Sequence, residues 1–174
     1  MPGSTPALNR SFRYGYAETD LGLVLVAEGD GGIAAILLGD DRATLLRDLR
    51  ATLSGAALTF DENALAATLA KIVALIAAPH TATDLSLDLQ GSALEIAVWR
   101  VLQTIPPGET RTYGQIAKAL TMPVTTQEVG AACAANRIAV AIPCHRVVKA
   151  DGSISGYRWG VHRKRRLINL EGVA

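Results

Sequence analysis

The sequence predicts an α+β fold in two parts, and three observations lead there. Three apolar or alternating segments crowd into the first forty residues. Helical periodicity then takes over. At Gly91 the pattern changes again, to brief helices set around one β-branched stretch. The division expected is an N-terminal extension over 1–12, a small α+β domain over 13–80, and a mostly helical domain over 86–174. A chain of 174 residues can bury enough core to hold them.

The elements follow in order. Arg13–Ala17 and Gly22–Glu28 read as strands, and Gly31-Gly32 turns the chain into a third over Ile33–Leu38. Asp40-Asp41 opens a helix over Arg42–Leu53, with Leu45, Leu46, Leu49 and Leu53 on one face, and Ser54-Gly55 ends it. A second helix spans Glu62–Ala77 and stops before Pro79. Thr81–Asp84 reads as a linker and Leu85–Leu89 as a short extended piece. Ser92-x-x-Glu95 is a capping box that starts a helix running to about Thr104. After Pro106-Pro107-Gly108 come short helices over Tyr113–Leu120 and Thr125–Asn136, broken at Met122-Pro123; their proportions are those of a helix-turn-helix. Gly130, Ala131, Ala132, Ala134 and Ala135 let the second of these approach either a partner or another helix of the same domain. A polar loop over Lys149–Ser155 leads to a terminal helix over Val161–Glu171.

Composition narrows the function. No run of about 18 apolar residues suggests a membrane span, and Met1 to Arg13 lacks a signal-peptide pattern, so a cytoplasmic protein is expected. Met1 and the unpatterned lead to Arg10 are compatible with a free-standing protein. Cys133 and Cys144 are the two cysteines, and with His80, His145 and His162 they form no zinc-like spacing; no metal or cofactor is expected. Residues 1–90 hold 6 Lys/Arg against 11 Asp/Glu, while residues 91–174 hold 11 against 5. A basic half points to a polyanion partner or to a solvated basic helix, because Arg163-Lys164-Arg165-Arg166 supplies four of the charges.

The chemistry concentrates in Ile142-Pro143-Cys144-His145-Arg146-Val147-Val148. A cysteine among Ile and Val is ordinarily inert, since burial raises its pKa. A neighbouring imidazole, with Arg146 close by, instead favours the thiolate. Read as a strand, the segment points Cys144 and His145 to opposite faces, so a water would bridge them. Glu171 either orients His145, if the terminal helix packs back, or ends that helix in solvent. Asn136 either caps its helix or fixes the turn beside the site. Cys133 reads as core.

Pro143–Val148, with Ala134-Ala135-Asn136-Arg137 before it and Ser155-Gly156-Tyr157-Arg158-Trp159-Gly160 after, resembles the O6-alkylguanine-DNA alkyltransferases, most closely the C-terminal repair domain of bacterial adaptive-response regulators. The resemblance runs from about Arg13 to Glu171. It implies a ribonuclease-H-like first domain and a helical second domain carrying a helix-turn-helix and the active-site cysteine. Cys144 would take the alkyl group, with His145 as its base through a water and Glu171 behind. Asn136 would hold the turn, and Tyr113 would push the target phosphate round and protonate the departing guanine. Val147, Tyr157 and Arg158 would line the pocket for a flipped base, a step needed because the alkyl carbon is unreachable inside a duplex. The implied activity is stoichiometric transfer of the alkyl group from O6-methylguanine in double-stranded DNA to Cys144, by a monomer without cofactor.

One departure stands out. Gln127 occupies the position where the family places an arginine that fills the gap left by the flipped base, and Glu128 follows it. Gln127 is shorter and uncharged, and Glu128 would repel phosphate unless Arg137, Lys149 and Arg158 compensate. Single-stranded or mismatched DNA is therefore expected to be favoured. The competing reading keeps the Cys-His-Glu chemistry and directs it to a small-molecule alkyl or acyl donor.

Overall fold

A computed structural model describes residues 10–81 and 83–172. The first half is a four-stranded sheet in the order β3-β2-β1-β4 with two helices. Strands β1 (Ser11–Thr19), β2 (Gly22–Gly29) and β3 (Gly32–Gly39) form an antiparallel meander. Its two turns use Gly22 and Gly32 at φ of 98° and 115°, a region closed to most side chains. Ser11 and Phe12 thus belong to the sheet rather than to an extension. The reason is burial: Phe12 is part of the core. The remainder of the expected extension, up to residue 9, lies outside the described residues.

Helix α1 (Arg42–Thr52) is capped by Asp41, whose carboxylate accepts from the Thr44 N–H at 2.8 Å. Strand β4 (Ala57–Phe60), which periodicity did not reveal, pairs parallel to β1. Four largely exposed residues carry no alternation to read; the ladder with β1 makes the strand. Helix α2 (Ala66–Ala77) starts four residues later than its pattern suggested. Asp61 accepts from the Ala64 N–H, and Glu62 turns back to the Tyr16 N–H, so both residues are spent on the turn.

The second half packs α3 (Ala93–Leu102), α4 (Tyr113–Ala119), α5 (Thr126–Ala134) and α6 (Val161–Leu170) around the Cys144 segment. Capping boxes at Ser92/Glu95, Thr112/Gln115 and Thr125/Glu128 open the first three. Trp99 on α3 donates to the Ala132 carbonyl of α5 at 2.8 Å. Strand β5 (Arg111–Thr112) pairs parallel with β6 (Val147–Val148).

The edge of β3 joins the halves. Leu87 bridges to Ile33, and Ile138 bridges to Ile36, with the Ile36 N–H donating to the Arg137 carbonyl at 3.0 Å and the Ala139 N–H to the Ile36 carbonyl at 2.9 Å. The chain that leads into Cys144 is therefore bonded directly to the first half's sheet. Arg163 adds a second tie, donating to the Leu21 carbonyl at 2.8 Å and to Asp40 at 2.6 Å. Among the described residues no helix is long and apolar enough to cross a membrane.

Candidate functional site

Cys144 does not sit in a strand. Cys144–Arg146 is one turn of 3₁₀ helix, and only Val147–Val148 is extended. Two three-residue turns bring the chain there. The Ala141 N–H bonds back to the Ala139 carbonyl at 2.7 Å around Val140, whose φ is 69°. The Cys144 N–H then bonds to the Ile142 carbonyl at 2.8 Å around Pro143, at φ −82° and ψ 61°. A β-branched residue at positive φ stores on the order of 1–3 kcal/mol, held here by the sheet bonds on one side and Asn136 on the other.

Asn136 is fully buried and uses both ends of its amide. Its Nδ2 donates to the Ile142 carbonyl at 3.0 Å and to the Cys144 Sγ at 3.2 Å, and its Oδ1 accepts from the Ile138 N–H at 2.9 Å. Of the two sequence readings, the turn-fixing one describes this geometry. Helix α5 ends at Ala134 and leaves the side chain free for it.

His145 is also fully buried, and its Nε2 lies 2.7 Å from Glu171 Oε1. Glu171 is 2 % exposed at the end of α6, so it is packed behind the imidazole rather than solvated. Burial would raise its carboxyl, but bonds from His145 and Arg146 prevail and hold it down at about 2. A carboxylate only accepts, so Nε2 carries the hydrogen and a neutral ring keeps its lone pair on Nδ1, which has no protein partner. Burial also lowers the His145 pKa, against the pull of Glu171, and keeps the ring neutral.

Arg146 departs from expectation. Its guanidinium grips Glu171 through Nε at 3.1 Å and Nη2 at 2.8 Å, and the Ile105 carbonyl through Nη1 at 2.6 Å. It clamps the carboxylate and does not serve the thiol. Burial raises the Cys144 pKa; the groups that oppose this are Asn136, Lys164 and Arg158. Lys164 is the residue the sequence reading missed, grouped there with a solvated basic run. It is 1 % exposed; Arg163 is buried beside it, and only Arg165 and Arg166 face solvent. The signal was present: Lys164, Leu167, Ile168 and Glu171 recur at i, i+3, i+4 and i+7, which is one helix face.

A cavity of about 370 Å³ opens onto the thiol. Its walls include Tyr113, Tyr157, Arg158 and both cysteines. Gly130 and Ala134 of α5, with Gly156, leave it room, while Ala132 on the opposite face packs against α3. Cys133 faces this cavity rather than the core alone, and burial pushes its thiol up to about 12. Tyr113, the first residue of α4, places its hydroxyl 2.5 Å from Ser155 Oγ. Arg158 donates to the Asn136 carbonyl at 2.6 Å.

The remaining predicted residues lie outside this cavity. Val147 is buried in the β5–β6 ladder. Arg137 borders a separate cleft of about 440 Å³ against Asp48 and Thr52 of α1. Gln127 is exposed on the first turn of α5. Glu128 is exposed too, but its carboxylate turns back to accept from the Thr125 N–H and hydroxyl, each at 3.1 Å. The same carboxylate is thus part of the helix cap. Among the described residues no cluster of three metal-ligating side chains occurs.

Comparison with known proteins agrees with this arrangement. The family described as 6-O-methylguanine DNA methyltransferase, DNA binding domain, matches residues 93–173. The chain is 45 % identical over 168 residues to the bifunctional transcriptional activator/DNA repair enzyme Ada of Escherichia coli K12, covering 94 % of this chain and 46 % of that protein. It is 44 % identical over 113 residues to the methylated-DNA–protein-cysteine methyltransferase of Mycolicibacterium paratuberculosis, covering 65 % of this chain and 68 % of the relative. The crystal structure of Mycobacterium tuberculosis OGT in complex with DNA superposes with a TM-score of 0.77 at 33 % identity, over 91 % of this chain and 92 % of that one. The chain thus spans about half the length of the Ada-type relatives and two thirds of the shorter ones. A buried cysteine–histidine–glutamate line opening on one small cavity, joined to these likenesses, makes the chain a member of the methylated-DNA–protein-cysteine methyltransferase family.

Proposed function

We propose that this protein repairs DNA by direct reversal, moving the methyl group of O6-methylguanine onto Cys144 once per molecule. The observation that carries this is the path from Glu171 through His145 toward a thiol at the wall of a cavity of ligand size. The Cys144 thiol is protonated at rest because burial raises it. The Nδ1 lone pair of His145 takes that proton, a water carrying it, while Glu171 steadies the imidazolium that forms. The S–C bond forms as the C–O6 bond breaks, and its electron pair stays on guanine, which needs a proton to leave as a neutral base. Tyr113 is placed to give it, and Asn136 sets the thiol against the cavity. The product is a thioether, which does not return to a thiolate, so each molecule reacts once. No cofactor enters the step.

The target base must leave the stack to reach this cavity. We read α4 and α5 as a helix-turn-helix that brings Gln127 to the duplex, with Arg137, Arg158 and the Val147 backbone as further contacts. Residues 13–80 are read as a ribonuclease-H-like domain and 86–174 as the alkyltransferase domain. The protein is read as a cytoplasmic monomer whose uncharged Gln127 favours single-stranded or mismatched lesions. The relatives' names and the DNA-bound neighbour support the DNA-repair part of this reading.

Incubation with duplex bearing O6-methylguanine, followed by intact mass and peptide mapping, tests it. A gain of one methylene unit on Cys144 is expected. A gain on Cys133, or undiminished reaction by Cys144→Ala, overturns it.

A further inference from the structure

Lys164 is buried, yet the transfer as described does not use it. Its Nζ donates to Ser155 Oγ at 2.9 Å, and the same oxygen lies 2.5 Å from the Tyr113 hydroxyl. The Gly156 carbonyl is a further acceptor at 3.4 Å. An ammonium can only donate. The Ser155 oxygen therefore spends a lone pair on Lys164, and its own hydrogen is free to point at Tyr113. When that hydrogen goes to Tyr113, one of the two directions the contact allows, Tyr113 keeps its own hydrogen for the cavity. In that arrangement three groups, from α6 through a loop to α4, have every donor aimed the same way.

We propose that Lys164 is a positioning residue for leaving-group protonation: through Ser155 it holds the Tyr113 hydroxyl as a donor to the departing guanine and replaces the proton that Tyr113 gives up. The proposal rests on the alkyl-transfer reading above and adds the source of the proton. In the completed step the thiol proton rests on His145, and the C–O6 electron pair remains on guanine. Guanine takes a proton from Tyr113, Tyr113 from Ser155, and Ser155 from Lys164, which ends as a neutral amine. One positive charge is lost at Lys164 and one gained at His145, so the charge of the buried site does not change. Exchange with solvent later returns both to rest.

The surroundings favour this direction. Burial pushes Lys164 toward its neutral amine, and a thiolate at Cys144, once His145 has taken its proton, opposes it. Conversion of that thiolate to a thioether removes the support at the moment the proton is needed. The Lys164 charge also disfavours a proton on His145, so its loss accommodates the imidazolium.

The test compares methyl-transfer rates on oligonucleotides carrying O6-methylguanine or its 8-aza analogue, whose extra ring nitrogen spreads negative charge and lessens the need for a proton. Ser155→Ala and Lys164→Met are each expected to slow reaction with O6-methylguanine by about tenfold or more, less than the roughly 10²-fold or more that a general acid itself supplies, because neither touches the guanine. On the 8-aza substrate the loss should shrink to a few-fold, and Ser155→Thr, which keeps the hydroxyl, should recover most of the rate. Should Lys164→Met fail to fold, Ser155→Ala decides alone. A wild-type rate in Ser155→Ala, or an equal loss on both substrates, overturns the relay and leaves the alkyl-transfer reading standing. A wild-type protein that never gains mass at Cys144 overturns both.

Discussion

Two demands oppose each other at Cys144. In the proposed reaction the thiol must be buried to meet an alkyl carbon without water, yet burial is what keeps it protonated. The structure answers with a base rather than with a standing thiolate: His145 is held neutral by burial and aimed by Glu171. A rate–pH prediction follows. A histidine lowered below its usual value of about 6.5 keeps its lone pair through mildly acidic conditions. Methyl transfer should stay level from about pH 6.5 to 8 and fall only at lower pH. A midpoint at or above about 6.5 contradicts the assignment. Glu171→Gln should slow transfer by roughly 10²-fold across that range, the lower part of what a positioned base contributes, with far less effect on DNA affinity. Single-turnover time courses over the pH series, with a binding isotherm, measure both. The Cys144–His145 pair was legible because the two are adjacent in sequence, and Glu171 because a carboxylate behind a histidine is a recurring need. Lys164 was not read, because four consecutive basic residues look solvated until the helix face is drawn through Leu167 and Ile168.

Among the elements, α5 carries the most distinct tasks. Its capping box consumes Thr125 and Glu128, its inner face packs Val129 and Ala132, and its small residues Gly130 and Ala134 make room for the cavity. Gln127, with Thr126 beside it on the first turn, is left exposed and uncommitted. Extruding a base costs a few kcal/mol, least in unpaired or mismatched sites. A neutral amide offsets less of that cost than a longer cation would. Gln127→Arg is therefore expected to speed repair of fully paired duplex by roughly tenfold, equivalent to about 1.4 kcal/mol, and to leave the rate on free O6-methylguanine unchanged. Equal gains on both substrates would place Gln127 in the pocket; no gain on either would remove it from the interface. The helix itself was readable from Thr125-x-x-Glu128 and its apolar spacing. Its end was not, because Asn136 belongs to the turn by virtue of bonds to residues further along the chain.

Over the whole molecule, the site depends on the first half although none of its catalytic groups comes from there. The edge of β3 holds the segment that leads into Cys144, and Arg163 fastens α6, with Lys164 and Glu171 on it, to Leu21 and Asp40. This architecture has an acid limit. The Glu171 carboxyl lies at about 2 in the fold against an ordinary 4.5, so the unfolded chain binds the proton more readily. Its stabilisation is complete above about pH 4.5 and is lost as pH falls toward 2. Buried and doubly paired, it accounts for a few kcal/mol of acid sensitivity. Urea melts between pH 5 and 3 should show stability falling for the wild type and a flatter course for Glu171→Gln. Parallel slopes would mean other carboxylates govern acid unfolding.

By itself the sequence determined the α+β class, the meander, most helix starts and the choice of Cys144 as the candidate thiol, because these rest on local signals: periodicity, caps, glycine turns and adjacent residues. The tertiary structure alone decided the strand β4, the 3₁₀ turn at Cys144 and the use of Arg146 as a clamp on Glu171. The strand and the clamp depend on partners far along the chain, and the turn on bonds from Asn136. Ala57–Phe60 becomes a strand by pairing with β1, and Arg146 turns from the thiol because Glu171 and the Ile105 carbonyl offer bonds that local pattern does not encode.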